Sequence, residues 1–171
     1  MLLINKTPKD MDETLKNLKQ AVALSPDNAA LRKVYAKELY NHQYYQEAAD
    51  EYKAVIRLLP GDENAQLMLA RCFWVLERPS AAAVLADELE AQGCTLPAFY
   101  LLQAQLALHQ KDWQQAKAYY EQATSEDLAL KNAAFEQQLR EGIQQSGAAM
   151  GNTAGGSAEQ TVHADVEKPA I

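Results

Sequence analysis

An all-α fold of stacked antiparallel helical hairpins is what this sequence predicts, and three observations carry the prediction. First, one punctuation appears twice: LSPDNAA at Leu24–Ala30 and LLPGDENA at Leu58–Ala65 each run from apolar residues through a proline to small or acidic ones. The step from Pro26 to Pro60 sets an interval along the chain. Second, when the sequence is slid against itself by that interval, the stretches 29–62, 63–96 and 97–130 align without a gap. Ala36, Ala70 and Ala104 coincide, as do Ala48, Ala82 and Ala116. Other columns stay apolar or small: Leu39, Phe73 and Ala107; Tyr52, Ala86 and Tyr120; Val55, Leu89 and Ala123. Third, good helix formers (Ala, Leu, Glu, Gln, Lys) dominate, and the Val/Ile/Thr alternation of strands is scarce.

Each unit divides into two helices. Ala29–His42 has helical periodicity, with Tyr35, Ala36 and Leu39 on one face. NHQYY makes a turn. Tyr45–Leu58 follows, with Ala48, Ala49, Tyr52, Val55 and Ile56 as an apolar stripe. Pro60 ends it, because proline cannot continue a helix. The second unit predicts helices near 63–76 and 79–91. Pro79 takes a first helical position, where its missing N–H costs nothing, and Gly93 is a C-terminal stop. The third unit predicts helices near 97–109 and 113–124. One period earlier, Asp10–Leu24 matches the second half of a unit, with Leu18 under Tyr52 and Ala21 under Val55. After the third unit, Leu130–Gln145 reads as a capping helix with Ala134, Leu139 and Ile143 inward. The expected organisation is a solenoid over 1–145 (partial repeat 10–28, repeats 29–62, 63–96 and 97–130, cap 130–145) and a flexible tail or linker over 146–171.

The alanine columns have a packing reason. Helices approach to about 8–10 Å only where the contact residues are small. A bulky neighbour such as Tyr52 or Tyr120 then fills the space beside each alanine. A single hairpin leaves apolar surface bare, so units must stack.

Composition bounds the function. An apolar fraction of 48% with 23% charged residues belongs to a globular chain with a sizeable core. A net charge of −7 argues against nucleic acid, which needs a surplus of Lys and Arg. No apolar run approaches the roughly 20 residues that cross a bilayer, and Met1–Ile4 is too short for a signal-peptide core. The expectation is a cytoplasmic protein, with Cys72 and Cys94 kept as thiols. No catalytic constellation is visible. His42, His109 and His163 show no metal-ligand spacing. There is no G-x-x-x-x-G-K-[ST] loop, and the carboxylates Asp50, Glu51, Asp62, Glu63, Asp87 and Glu88 read as solvated helix faces. The sequence therefore predicts neither an enzyme nor a cofactor.

A 34-residue helical hairpin with these columns resembles the tetratricopeptide repeat family. YNHQYYQEAADEYKAVIRLLP at Tyr40–Pro60 carries the likeness best, and HQKDWQQAKAYYEQA at His109–Ala123 nearly as well. The middle unit departs from the pattern at Ala86 and Cys94. The resemblance covers about Asp10 to Gln145. It implies a right-handed α-solenoid and a non-catalytic module that binds a partner peptide or protein in the concave groove of its first helices. By register the groove residues are Lys33, Lys37, Tyr40 and Asn41, then Asn64, Leu67, Arg71 and Trp74, then Leu101, Gln105 and His109. Basic, aromatic and apolar groups together suit a partner with acidic and hydrophobic side chains. The family's clamp for acidic chaperone tails is largely missing: Lys37 and Met68 stand where asparagines belong, and Ala98 and Leu102 where basic residues belong. The tail ending DVEKPAI resembles the connector of bacterial proteins that fuse such repeats to an AAA-type ATPase. The alternatives are thus a substrate-recruiting or regulatory region associated with an AAA-type ATPase, and a homo-oligomeric scaffold.

Overall fold

A computed structural model describes residues 13–151, with side chains over 13–146. Every regular element among them is helical: α1 (Glu13–Leu24), α2 (Ala29–Asn41), α3 (Tyr45–Leu58), α4 (Glu63–Val75), α5 (Pro79–Ala91), α6 (Pro97–His109), α7 (Trp113–Glu126) and α8 (Ala133–Gly151), with a 3₁₀ turn at Leu128–Leu130. From α1 to α7 each helix packs on the next, which gives the expected stack of hairpins. The close contacts divide the chain between Lys131 and Asn132, so α8 is described by itself. No helix among the described residues is long and apolar enough to cross a membrane.

Local chemistry fixes the helix starts. The Asn28 side chain accepts a hydrogen bond from Leu31 N–H at 3.0 Å, and Asp62, one period on, accepts from Ala65 N–H at 3.0 Å. Such N-caps satisfy a donor that the helix itself cannot. The third unit has Leu96 in this place and no side-chain cap, but Pro97 starts the helix and removes one donor from need. The loops before α2 and α4 are fastened alike. Arg32 Nε donates to the Pro26 carbonyl at 2.6 Å, and Gln66 Nε2 donates to the Pro60 carbonyl at 2.7 Å.

The turn inside each hairpin repeats in the backbone as well. Gln43, Glu77 and Lys111 adopt positive φ of 69°, 57° and 63°. Their spacing is the same interval that separates Pro26 from Pro60. Each closes the end of a first helix by a paired hydrogen-bond pattern: Tyr44 N–H to Leu39 O with Gln43 N–H to Tyr40 O, and the equivalents at 77–78 and 111–112. The left-handed conformation is one that only glycine adopts without steric cost. Gly93, with φ of 77°, ends α5 in the same way.

The core runs through the stack in two clusters that meet at α4. Leu39, Ala48, Tyr52, Val55 and Cys72 belong to the first, and Leu67, Ala70, Ala82, Leu89 and Phe99 to the second. Ala36, Ala48, Ala70, Ala82, Ala104 and Ala116 are all 0% exposed. The two alanine columns are therefore buried in every hairpin, on helices that pack against each other. Ile56, expected in the stripe of α3, is half-buried.

The end of the described chain departs from expectation. The helix expected over 130–145 begins at Ala133 and continues to Gly151. Asp127 caps the 3₁₀ turn through Ala129 N–H at 2.9 Å. Asn132 then starts α8 by accepting from Ala134 and Phe135 N–H at 3.0 and 3.1 Å. Ala134, expected inward, is exposed; Phe135 and Leu139 are buried. The helix thus runs past Ser146, where the tail is expected to begin. Asp10–Asp12 of the partial repeat, and residues 152–171 with the expected flexible tail and DVEKPAI, lie outside the described residues.

Ala70→Leu is expected to overpack the α4–α5 contact and lower stability by about 1–3 kcal/mol, read from the urea midpoint. Replacing Gln43, Glu77 and Lys111 by glycine should raise stability by about 0.5–1 kcal/mol per site, the steric relief less the extra chain entropy of glycine. A lower midpoint for the triple variant would contradict the turn geometry.

Candidate groove between the first helices

A cavity of about 480 Å³ opens between α2 and α4. It is built by the helical period. Lys33, Lys37, Tyr40 and Asn41 recur along one face of α2, and Asn64, Met68 and Arg71 along one face of α4. Tyr52 of α3 reaches the floor from behind. The lining thus unites Lys33, Lys37, Tyr40, Asn41, Asn64 and Arg71, all groove residues by the sequence register. It adds Val34, Tyr52 and Met68, which that register does not assign to the groove. Val34 is 52% exposed, a large apolar side chain facing solvent inside the same face.

The other predicted groove residues stand elsewhere. Leu67 is 3% exposed and belongs to the second core cluster, so it is a packing residue and not part of an open wall. Trp74 and His109 meet edge to face with centroids 5.8 Å apart, which ties α4 to α6. Leu101 and Gln105 are half-buried and line no part of this cavity.

The charges in the groove are not equivalent. Lys33 Nζ lies 2.7 Å from Asp62 Oδ2, so its charge is already paired. Burial pushes the Asp62 carboxyl upward, but hydrogen bonds from Lys33 and from the Ala65 and Asn64 N–H groups outweigh it and hold the pKa below the usual carboxylate value. Arg71 lies over the Tyr40 ring, 5.5 Å from its centroid, and also touches the Met68 sulfur at 3.6 Å. These contacts fix the guanidinium while leaving it without a carboxylate partner among the described residues. Tyr40 is in turn braced edge-on by Tyr45 at 5.1 Å. Its hydroxyl pKa is raised by burial, against a smaller opposing pull from Arg71. Lys37 is exposed at the rim. The chemistry offered to a ligand is one oriented guanidinium, one free ammonium, two amides from Asn41 and Asn64, and an apolar surface of Val34, Met68 and Tyr40.

Cys72, on α4, is not poised for covalent chemistry. Cys72 is buried, and that burial pushes its thiol pKa up to about 12, so the thiolate is scarce at neutral pH. No group of three His, Cys, Asp or Glu among the described residues is placed to hold a metal ion. A scan against family models finds no match, and no curated protein matches the chain.

Asp62 joins the α4 cap to the groove, and its removal tests both. Asp62→Ala should cost about 1 kcal/mol at pH 7 through the lost cap. Because folding lowers this pKa, the contribution is complete above the unfolded value of about 3.9 and is lost as pH falls through the lower folded value. Denaturation of both proteins across that range should show the gap closing in acid; a gap independent of pH would contradict the pairing.

Proposed function

We propose that the chain is a non-catalytic interaction module of the tetratricopeptide repeat kind. Its α2–α4 groove takes a segment of a partner protein that presents a carboxylate beside aliphatic side chains. The observation that carries this reading is the convergence of Lys37, Arg71, Tyr40 and Val34 on one cavity of about 480 Å³. That volume lies within the range of natural ligand sites.

Each part has a role on this reading. Arg71, held over Tyr40, receives the carboxylate in a fixed fork, which needs less ordering than a free side chain. Lys37 at the rim adds attraction during encounter. Val34 and Met68 accept the aliphatic part, and methionine adapts its shape to it. Asn41 and Asn64 hold the partner's backbone through their amides. Lys33 contributes structure and not recognition, since Asp62 already occupies it. The ending DVEKPAI motivates a link to an AAA-type ATPase, and the proposed groove chemistry is compatible with an ATPase-linked substrate segment.

A phage-displayed peptide library selected on the immobilised protein should enrich Asp or Glu flanked by Leu, Ile, Val or Met. Charge reversal by Lys37→Glu with Arg71→Glu should weaken a selected peptide by at least about tenfold, equal to about 1.4 kcal/mol, while the circular dichroism melt stays cooperative. No enrichment, or equal binding by the reversed variant, would remove the groove from the account.

A further inference from the structure

The guanidinium in the groove is held in place through a residue that lies outside it. Tyr45 opens α3, is half-buried, and lines no part of the α2–α4 cavity. Its ring meets that of Tyr40 edge to face, with centroids 5.1 Å apart and planes at 73°. Tyr40 in turn carries Arg71 over its ring, 5.5 Å from the centroid. The Met68 sulfur, one turn earlier on α4, accepts from the same guanidinium at 3.6 Å. The contacts run in series from α3 to α2 to α4, and only the last two members reach the cavity. A cation is attracted by the face of an aromatic ring and repelled by its edge. The place of the Arg71 guanidinium therefore depends on the plane of Tyr40, and the contact with Tyr45 restricts rotation of that plane.

The next junction, one period on, separates this arrangement from ordinary packing. There Trp74 stands for Tyr40, Pro79 for Tyr45, Gln105 for Arg71 and Leu102 for Met68. Pro79 starts α5 at the place where Tyr45 starts α3, so beginning the second helix of a hairpin requires no ring at this position. Trp74 is met by His109 of α6 instead. Leu102 is 1% exposed, where Met68 is half-buried and lines the cavity. The series of two rings and a guanidinium thus stands where the groove opens, and its members are replaced where the equivalent position is packed shut.

We infer that Tyr45 is a positioning residue for the groove: acting through Tyr40 on Arg71, it sets the preference for a carboxylate over an uncharged ligand of the same shape. This rests on the groove reading proposed above. With Tyr45 in place, the guanidinium is ordered before the ligand arrives, and little side-chain freedom is lost on binding. Without it, the Tyr40 ring turns more freely and Arg71 must be ordered by the ligand. The loss falls on the carboxylate contact alone, because the aliphatic contacts with Val34 and Met68 do not pass through either ring.

Titration of the full chain with acetyl-Leu-Glu-Leu-amide and with its isostere acetyl-Leu-Gln-Leu-amide, followed by two-dimensional NMR of the backbone amides and the arginine Nε–H groups, tests this. The wild-type protein should bind the acid more tightly than the amide. Tyr45→Leu keeps most of the bulk and loses the ring. It should weaken the acid about threefold to tenfold, the cost of ordering one freed side chain, and leave the amide unchanged. Tyr45→Phe keeps the ring and should retain the wild-type preference, which also keeps the test readable if the leucine variant fails to fold. In the absence of peptide, the Arg71 Nε–H proton should move downfield in Tyr45→Leu, as it leaves the shielding cone of the Tyr40 ring, and stay in place in Tyr45→Phe. In an Arg71→Ala background Tyr45→Leu should have no further effect on the acid. Equal weakening of both peptides, or a loss that persists without Arg71, would make Tyr45 a residue of the fold only and overturn the inference. An undiminished preference for the acid in Tyr45→Leu overturns it as well while leaving the groove reading standing. A wild-type protein that does not distinguish the two peptides removes both.

Discussion

Close approach of paired helices at alanine is the constraint on which everything else in this molecule rests. Two alanine columns, one on each helix of the hairpin, are fully buried in every unit. A methyl group lets the two backbones come near enough for the larger neighbours, Tyr52 or Tyr120, to close the sides. The left-handed turn residues Gln43, Glu77 and Lys111 serve the same end, because they set the angle at which the second helix returns. The chain accepts backbone strain at three non-glycine positions to keep its hairpins alike.

The proposed function rests on what this packing leaves unused. Each first helix is committed on the face that meets its partner and free on another. Between α2 and α4 the free faces form the groove. Its electrostatics are graded: Asp62 neutralises Lys33, Tyr40 positions Arg71, and Lys37 remains exposed at the rim. On the proposed reading, such a groove would distinguish ligands by where a carboxylate falls relative to an aliphatic group, and not by net charge alone.

Much of the fold is legible because it is periodic. α3 and α5 begin and end where the residues predict, and the alanine columns are fully buried. The period also places Lys33, Lys37, Tyr40, Asn41, Asn64 and Arg71 on one cavity. What periodicity cannot convey is depth. Leu67 shares the helix face of Asn64 and Arg71, yet it is buried in the cluster that includes Phe99 and Leu102 of α6, and the sequence of α4 holds no trace of that burial. The pairing of Lys33 with Asp62 spans 29 residues and depends on a side-chain conformation. α8 starts later than expected because Asp127 and Asn132 form two successive caps, and only one is needed for a helix to begin. Val34 and Met68 carry a signal, apolar residues at helical spacing beside Lys37 and Arg71, but it resembles core patterning.

The most direct measurement is of the alanine contacts themselves. With ¹³C-methyl-labelled alanine, methyl–methyl Overhauser effects should link Ala36 to Ala48, Ala70 to Ala82 and Ala104 to Ala116, the same pair in all three hairpins. Absence of these cross-peaks, or pairs displaced by different amounts in different units, would contradict a single repeated helix contact.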